Sequence, residues 1–273
     1  MRFTNKAISI AVLAITATFS CMNDAQAASL TSSPLTIYGQ ATKGSVTAKV
    51  TRGVNPTGTN GTNGAYSEFH NQNTTTIDFN STTQVGNKAY TFGSALATYS
   101  FQNGMSTSSG RTGVYSDRWA PSGANGEVNT SNYLAVFNGN KVTIDLTNKL
   151  NYFGIDWGAL SAGNTFGFYS KGQLVSEFNY NDINPIAPVR ARQHGGEGNG
   201  YLHFYANDSE GTFDQIVISQ VGGGGFESDN HSFRISNKAF DFENGRDVPE
   251  PSMIIGLLAT GGAILLKRNE QTV

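Results

Sequence analysis

Between residues 28 and 248, Gly and Asn recur so often that no window long enough for a stable helix survives. What remains is a series of short β-branched or alternating runs at 35–38, 46–50, 74–79, 97–101, 133–137, 142–146, 152–157, 165–169, 174–178, 201–205, 213–219 and 231–235. Turn chemistry separates them, and Asn138-Gly139-Asn140 and Lys171-Gly172 each predict a hairpin. About a dozen short strands imply an all-β fold, a β-sandwich or jelly-roll domain over 28–240. Some 220 residues suffice for one such domain with a substantial core. Two Gly-rich stretches, 57–64 (TGTNGTNG) and 190–200 (RARQHGGEGNG), read as loops. Residues 241–248 are polar and read as a linker.

Composition narrows the function classes. The chain carries 18 Lys plus Arg against 20 Asp plus Glu, for a formal charge of −2. That balance excludes nucleic-acid binding driven by bulk charge, which needs a run of cations. A single cysteine, Cys21, excludes an intramolecular disulfide framework and a Cys-based zinc cluster.

Both ends read as processing segments. Arg2 and Lys6 precede an apolar stretch at 7–19, too short to span a bilayer comfortably, which closes on Ala25-Gln26-Ala27. Residues 1–27 are therefore expected to be a signal peptide, cut by signal peptidase after Ala27, with Ala25 and Ala27 as the small residues read. Cleavage there leaves a mature chain without cysteine. At the other end, Pro249-Glu250-Pro251 is followed by an apolar stretch at 253–266 and then Lys267-Arg268. Gly256, Gly261 and Gly262 lie within that stretch, which has no polar face beyond Thr260. It is expected to insert as a single transmembrane helix of roughly 21 Å, with the two cations on the cytoplasmic side.

This tail, residues 249–273, resembles the PEP-CTERM sorting signal of exported bacterial proteins. The resemblance implies recognition of Pro249, Glu250, Pro251, Lys267 and Arg268 by exosortase, a membrane transpeptidase. It also implies transient anchoring in the inner membrane and delivery to the cell surface or extracellular matrix. Farther in, Arg118-Trp119-Ala120-Pro121, the run Tyr152-Phe153-Gly154-Ile155-Asp156-Trp157-Gly158, Asn164-Thr165-Phe166 and Gly225-Phe226-Glu227-Ser228-Asp229-Asn230 resemble segments of exosortase-dependent surface proteins. That likeness implies a β-sandwich cargo domain and supplies no catalytic residues.

The residues themselves show no catalytic constellation. His70, His194, His203 and His231 have no metal-ligand spacing, and no G-x-S-x-G elbow is present. Gly222 to Gly225 lies between strands, where a phosphate loop would need a helix behind it. A glycosidase needs two carboxyls about 5 to 9 Å apart across a cleft. Glu227 with Asp229, or Asp156 with Glu177, are the pairs the sequence offers for that alternative. Glu227, Asp229 and Asn230 are also candidate ligands for a structural calcium ion, against the plainer reading that they cap local turns. Trp119, Tyr201 and Tyr205 are candidate glycan-stacking rings, Trp119 being the one expected to be exposed. Together these observations favour a non-catalytic surface protein associating with extracellular polysaccharide. A carbohydrate-active enzyme or a protein-binding coat component are the alternatives.

Overall fold

The structure, a computed structural model, describes residues 35–81, 89–92, 95–102, 112–116, 119–222 and 224–249. The expected signal peptide with Ala25 and Ala27 lies outside them, as do Glu250, Pro251, the 253–266 stretch, Lys267 and Arg268. Among the described residues no helix is long and apolar enough to cross a membrane.

The chain is nearly all β. Its strands in order are β1 Gly39–Lys43, β2 Val46–Thr51, β3 Thr75–Ile77, β4 Ala89–Phe92, β5 Ala97–Phe101, β6 Gly113–Tyr115, β7 Tyr133–Phe137 and β8 Lys141–Trp157. They continue as β9 Asn164–Ser170, β10 Gln173–Asn179, β11 Val189–Ala191, β12 Glu197–Ala206, β13 Phe213–Gln220, β14 Gly225–Ile235, β15 Phe240–Asp241 and β16 Arg246–Asp247. A short α-helix, α1 Tyr180–Ile183, follows β10, closed at its start by the Asn179 side chain and at its end by Asn184 in the left-handed region. The main sheet runs β1-β2-β12-β8-β13-β9-β10, and every strand pairing among the described residues is antiparallel. It nearly closes on itself. Ser176 Oγ on β10 donates to Lys43 O on β1 (3.1 Å), and Ile186 N donates to Tyr38 O (2.7 Å).

Strand β8 organises the sheet. The expectation of two runs, 142–146 and 152–157, is corrected to one 17-residue strand that changes neighbours halfway. Its first half pairs with β5 on one edge and β13 on the other; its second half pairs with β14 and β12. Burial changes with the partners. Val142 and Ile144 alternate with more exposed residues, whereas Leu150 to Trp157 are buried without interruption. The first half thus has one covered face and the second half two.

The inner layer is aromatic. Phe204 on β12 meets Phe168 and Phe166 on β9 at ring-centroid distances of 4.6 and 5.1 Å, and Phe153 on β8 meets Phe233 on β14 at 5.3 Å. Fully burying each such side chain is worth roughly 1.5–3 kcal/mol. Tyr99, Phe79 and Phe153 enclose His231, whose Nδ1 lies 2.8 Å from Tyr99 Oη and whose Nε2 lies 3.0 Å from Ser228 Oγ. Burial pushes the His231 pKa down to about 3, so the imidazole is a neutral core group.

The outer face of β8 and β12 is covered by irregular chain. Residues 53–72 form a strap, 120–131 a second loop, and β15–β16 a hairpin. That hairpin corrects the reading of 241–248 as a linker. Phe240 and Phe242 are buried against Phe69 (5.3 and 5.2 Å), and Asp247 Oδ1 accepts from Arg234 Nε (3.0 Å) and Asn151 Nδ2 (2.8 Å). Two apolar rings within a charged octapeptide are enough to dock it. The first run is corrected too. Leu35 and Ile37 pack as coil against this second cluster, and the strand starts at Gly39.

Candidate functional site

Alternation along two neighbouring strands builds a polar layer between the sheet and its cover. On β12, Leu202 and Phe204 point inward, so Tyr201, His203 and Tyr205 point outward. On β8 the outward residues are Tyr152, Gly154 and Asp156, and the register sets Tyr201 opposite Asp156 and His203 opposite Gly154. On the other edge of β8, Asp229 of β14 lies directly opposite Asp156.

At one end of this layer Ser67 Oγ lies 2.7 Å from Tyr152 Oη, which lies 2.8 Å from His203 Nδ1. His203 Nε2 sits 2.9 Å from Thr51 Oγ1 and 3.2 Å from Glu68 Oε2. The Glu68 contact is an ion-pair distance without hydrogen-bond alignment, so Thr51 is the bonded partner. Burial alone raises the Glu68 carboxyl, but the His203 ring and Thr51 outweigh it and hold the group below its ordinary range. Phe69 and Phe242 close over His203 at 5.8 and 5.2 Å.

At the other end sit the two acids. Asp156 is 1 % exposed and Asp229 fully buried. Asp156 Oδ2 accepts from Ala65 N (2.7 Å) on the strap, and Oδ1 has no partner. Asp229 Oδ1 accepts from Asn230 N (2.7 Å), and Oδ2 accepts from Asn129 Nδ2 (3.2 Å) and Ser131 Oγ (2.9 Å). Ser131 Oγ also faces Asn129 Oδ1 at 2.6 Å, so its single hydrogen serves one acceptor at a time. Burial drives both carboxyls well above the ordinary range. Asp229 raises Asp156 further, and Asp78 raises Asp229. Tyr66 is pushed up to about 12 by burial and then by Asp78, Asp229 and Asp156.

The strap reaches this pair through Gly64, at φ +76°. A Cβ there would lie 2.7 Å from Asp156 Oδ2, 2.9 Å from Asn129 Nδ2 and 3.0 Å from Asn230 Nδ2. Asn230, itself at φ +46° in the bulge of β14, donates from Nδ2 to Asn63 O (2.6 Å) and Ala65 O (3.0 Å).

The expected site residues fare unequally. Trp119 is exposed as expected, at 39 %. Tyr201 and Tyr205 share a face as expected, but that face is sealed. Tyr201 is fully buried with its hydroxyl donating to Asn230 O (2.9 Å), and Tyr205, 8 % exposed, stacks on Phe242 at 5.1 Å. Neither ring is available to a glycan. Asp156 and Glu177 do not meet, because Glu177 is exposed on β10 opposite Gly167. Asp156 meets Asp229 instead, behind the strap rather than in a cleft.

The calcium candidates Glu227, Asp229 and Asn230 lie together on β14. The oxygens of Asp229 face N–H and O–H donors, and Asn230 turns its amide nitrogen toward two carbonyls. Among the described residues no group of three or more His, Cys, Asp or Glu gathers. Sequence reasoning missed Ser67, Glu68, Asn129, Ser131 and Gly64. The TGTNGTNG run that ends at Gly64 was the available signal, since it marks chain able to take left-handed turns against another backbone. An open groove elsewhere is lined by Asp145, Lys149, Lys171, Asp214 and Gln215, with no aromatic ring.

No protein-family model matches the chain, and no curated protein does. Among solved structures it is similar to the catalytic unit of a thermostable GH87 alpha-1,3-glucanase from Streptomyces thermodiastaticus strain HF3-3, at 12 % identity and a TM-score of 0.28. That match covers 66 % of this chain and 28 % of the other. A GH87 alpha-1,3-glucanase catalytic domain in complex with tetrasaccharides matches at 13 % identity over 62 % of this chain and 31 % of that one, with the same TM-score of 0.28. The chain spans less than a third of either structure. Likeness of this size transfers no activity to it.

Proposed function

We propose that this chain is an exported, exosortase-processed protein of the cell surface or extracellular matrix. Its β domain, a two-layer sandwich whose arms share β8, associates with extracellular polysaccharide without cleaving it. The observation that supports the non-catalytic reading is the sealing of the acid pair. Asp156 and Asp229 are the two candidate carboxylates that the sheet brings into register, and both lie beneath the strap with no room for a sugar between them. Trp119, exposed beside Ala120-Pro121, is then the ring on which a pyranose face would stack. Processing by signal peptidase is supported by the pattern of the first 27 residues, and processing by exosortase after residence in the inner membrane by the resemblance of residues 249–273 to a sorting signal.

The test is retention of the full chain on the producing cell's own exopolysaccharide, with product analysis of the same mixture. Retention without new reducing ends, reduced at least tenfold by Trp119→Ala, is the expected result. New reducing ends that vanish in Asp156→Asn or Asp229→Asn would establish the enzyme instead. No retention at all would leave a protein-binding coat component as the better reading. Intact mass of surface-released protein checks the processing, since residues 253–266 are expected to be gone.

A further inference from the structure

The buried oxygens around Gly64 outnumber the donors that face them. Asp156 Oδ1 and Asn230 Oδ1 are both acceptors, both buried, and both without a donor. Their parent groups are neighbours, because Asp156 Oδ2 and Asn230 Nδ2 lie 2.7 and 3.0 Å from the same point, the position of a Cβ on Gly64. An unpaired buried acceptor is costly, and two in one cluster call for a shared donor. Asp229 has no need of one, since both of its oxygens already face donors. We propose that Asp156 is the protonated member of the pair, its Oδ1–H donating to Asn230 Oδ1, and that this single proton ties β8 to β14 beneath the strap.

The surrounding charges favour that state. Asp156 is faced by Asp229 from β14, by Tyr201 from β12 and by Tyr66 from the strap, with Asp78 beyond β3 acting on Asp229. The loop at 120–131 contributes the neutral Asn129 and Ser131. Among these groups none is cationic, so ionising both carboxyls would leave two negative charges in a dry site. The proton leaves to solvent as pH rises. Asp156 Oδ1 and Asn230 Oδ1 then become two facing acceptors, and the contact between β8 and β14 under residues 63–65 is weakened.

The sign follows from linkage. A carboxyl whose folded pKa is raised binds its proton more tightly in the native state than in the unfolded chain. Its contribution to stability is complete below the unfolded value near 4 and is lost as pH rises toward the folded value. The folded-to-unfolded ratio is expected to fall by about tenfold per pH unit across that window.

The experiment is infrared difference spectroscopy of the full chain at pH 7, with denaturant unfolding from pH 4 to 9. A protonated-carboxyl C=O band is expected at pH 7 and is expected to vanish in Asp156→Asn, whose amide keeps the site neutral. The same variant is expected to lose Asp156's share of the falling limb of stability, with that of Asp229 remaining. Absence of the band in the unsubstituted chain, or its persistence in Asp156→Asn, overturns the proposal. So does its disappearance on adding calcium alone, which would assign the site to a cation. Should Asp156→Asn fail to fold, Asn230→Ala must shift the band by removing the proton's acceptor. An unmoved band there overturns the bridge.

Discussion

Both faces of β12 are buried, and by opposite means. Inward, Leu202 and Phe204 join a cluster of rings from β8, β9, β10 and β14 that needs no particular bond. Outward, Tyr201 and His203 meet a strap with no strand of its own, and hydrogen bonds to Asn230, Tyr152 and Thr51 hold them in place. The inner layer gains from area removed from water, which tolerates repacking. The outer layer gains little per bond, yet each lost partner leaves a buried orphan. The first layer should fail in proportion to volume lost, the second according to which atom is unpaired.

The largest effect is expected from Phe204→Ala. The side chain is fully buried against Phe153, Phe166, Phe168 and Phe178. Its removal should cost about 3–5 kcal/mol in denaturant unfolding. A loss below about 1 kcal/mol would mean that the arms of the sheet do not pack as described. Gly64→Ala comes next. It puts a Cβ 2.7 Å from Asp156 Oδ2 at a left-handed φ of +76°, for a cost of roughly 2–3 kcal/mol. Hydrogen exchange should localise that loss to residues 53–72 and leave the β9–β10 hairpin protected. Uniform loss of protection would erase the distinction between the two layers.

Tyr201→Phe tests the outer layer at a single atom. It keeps the ring and strips the donor from Asn230 O, so about 1–2 kcal/mol should be lost with little change in m-value. No change would mean that the Tyr201 hydroxyl bond adds nothing to the hold of the outer layer.

These layers were not equally legible. Phe153, Ile155 and Trp157 on β8, like Phe166 and Phe168 on β9, announce an inward face by period two, and the strands follow. The same alternation in Tyr201-Leu202-His203-Phe204-Tyr205 reads as one face in and one face toward solvent. It errs there because the cover is coil, and coil has no period to read. Periodicity marked only the 231–235 half of strand β14, for a related reason. Its run Glu227-Ser228-Asp229-Asn230-His231-Ser232 is polar at every position, and only burial on both faces explains it as strand. The docked hairpin was hidden because Phe240 and Phe242 lie among charges that dominate the local composition. Of the candidate site, Trp119 was found by context. The Asp156–Asp229 pairing was missed because cross-strand register is not written in either strand alone.

The smallest effect separates the two ends of the cover by the direction of their pH dependence. Burial tends to raise the Asp247 carboxyl, but its bonds from Arg234 and Asn151 outweigh that and hold it below the ordinary range. A lowered folded pKa stabilises above the unfolded value near 4, and the contribution is lost as pH falls through the folded value. The pair is partly exposed, so Asp247→Asn should cost less than about 1 kcal/mol at pH 7 and progressively less as pH falls through the folded value. Asp156→Asn should do the reverse, leaving low pH unaffected and removing its own share of the decline at high pH. In the double variant the two contributions should disappear independently, because the hairpin and the Gly64 contact share no hydrogen-bond partner. Coupling above about 0.5 kcal/mol would show that strap and hairpin come off the sheet together, as one cover rather than two.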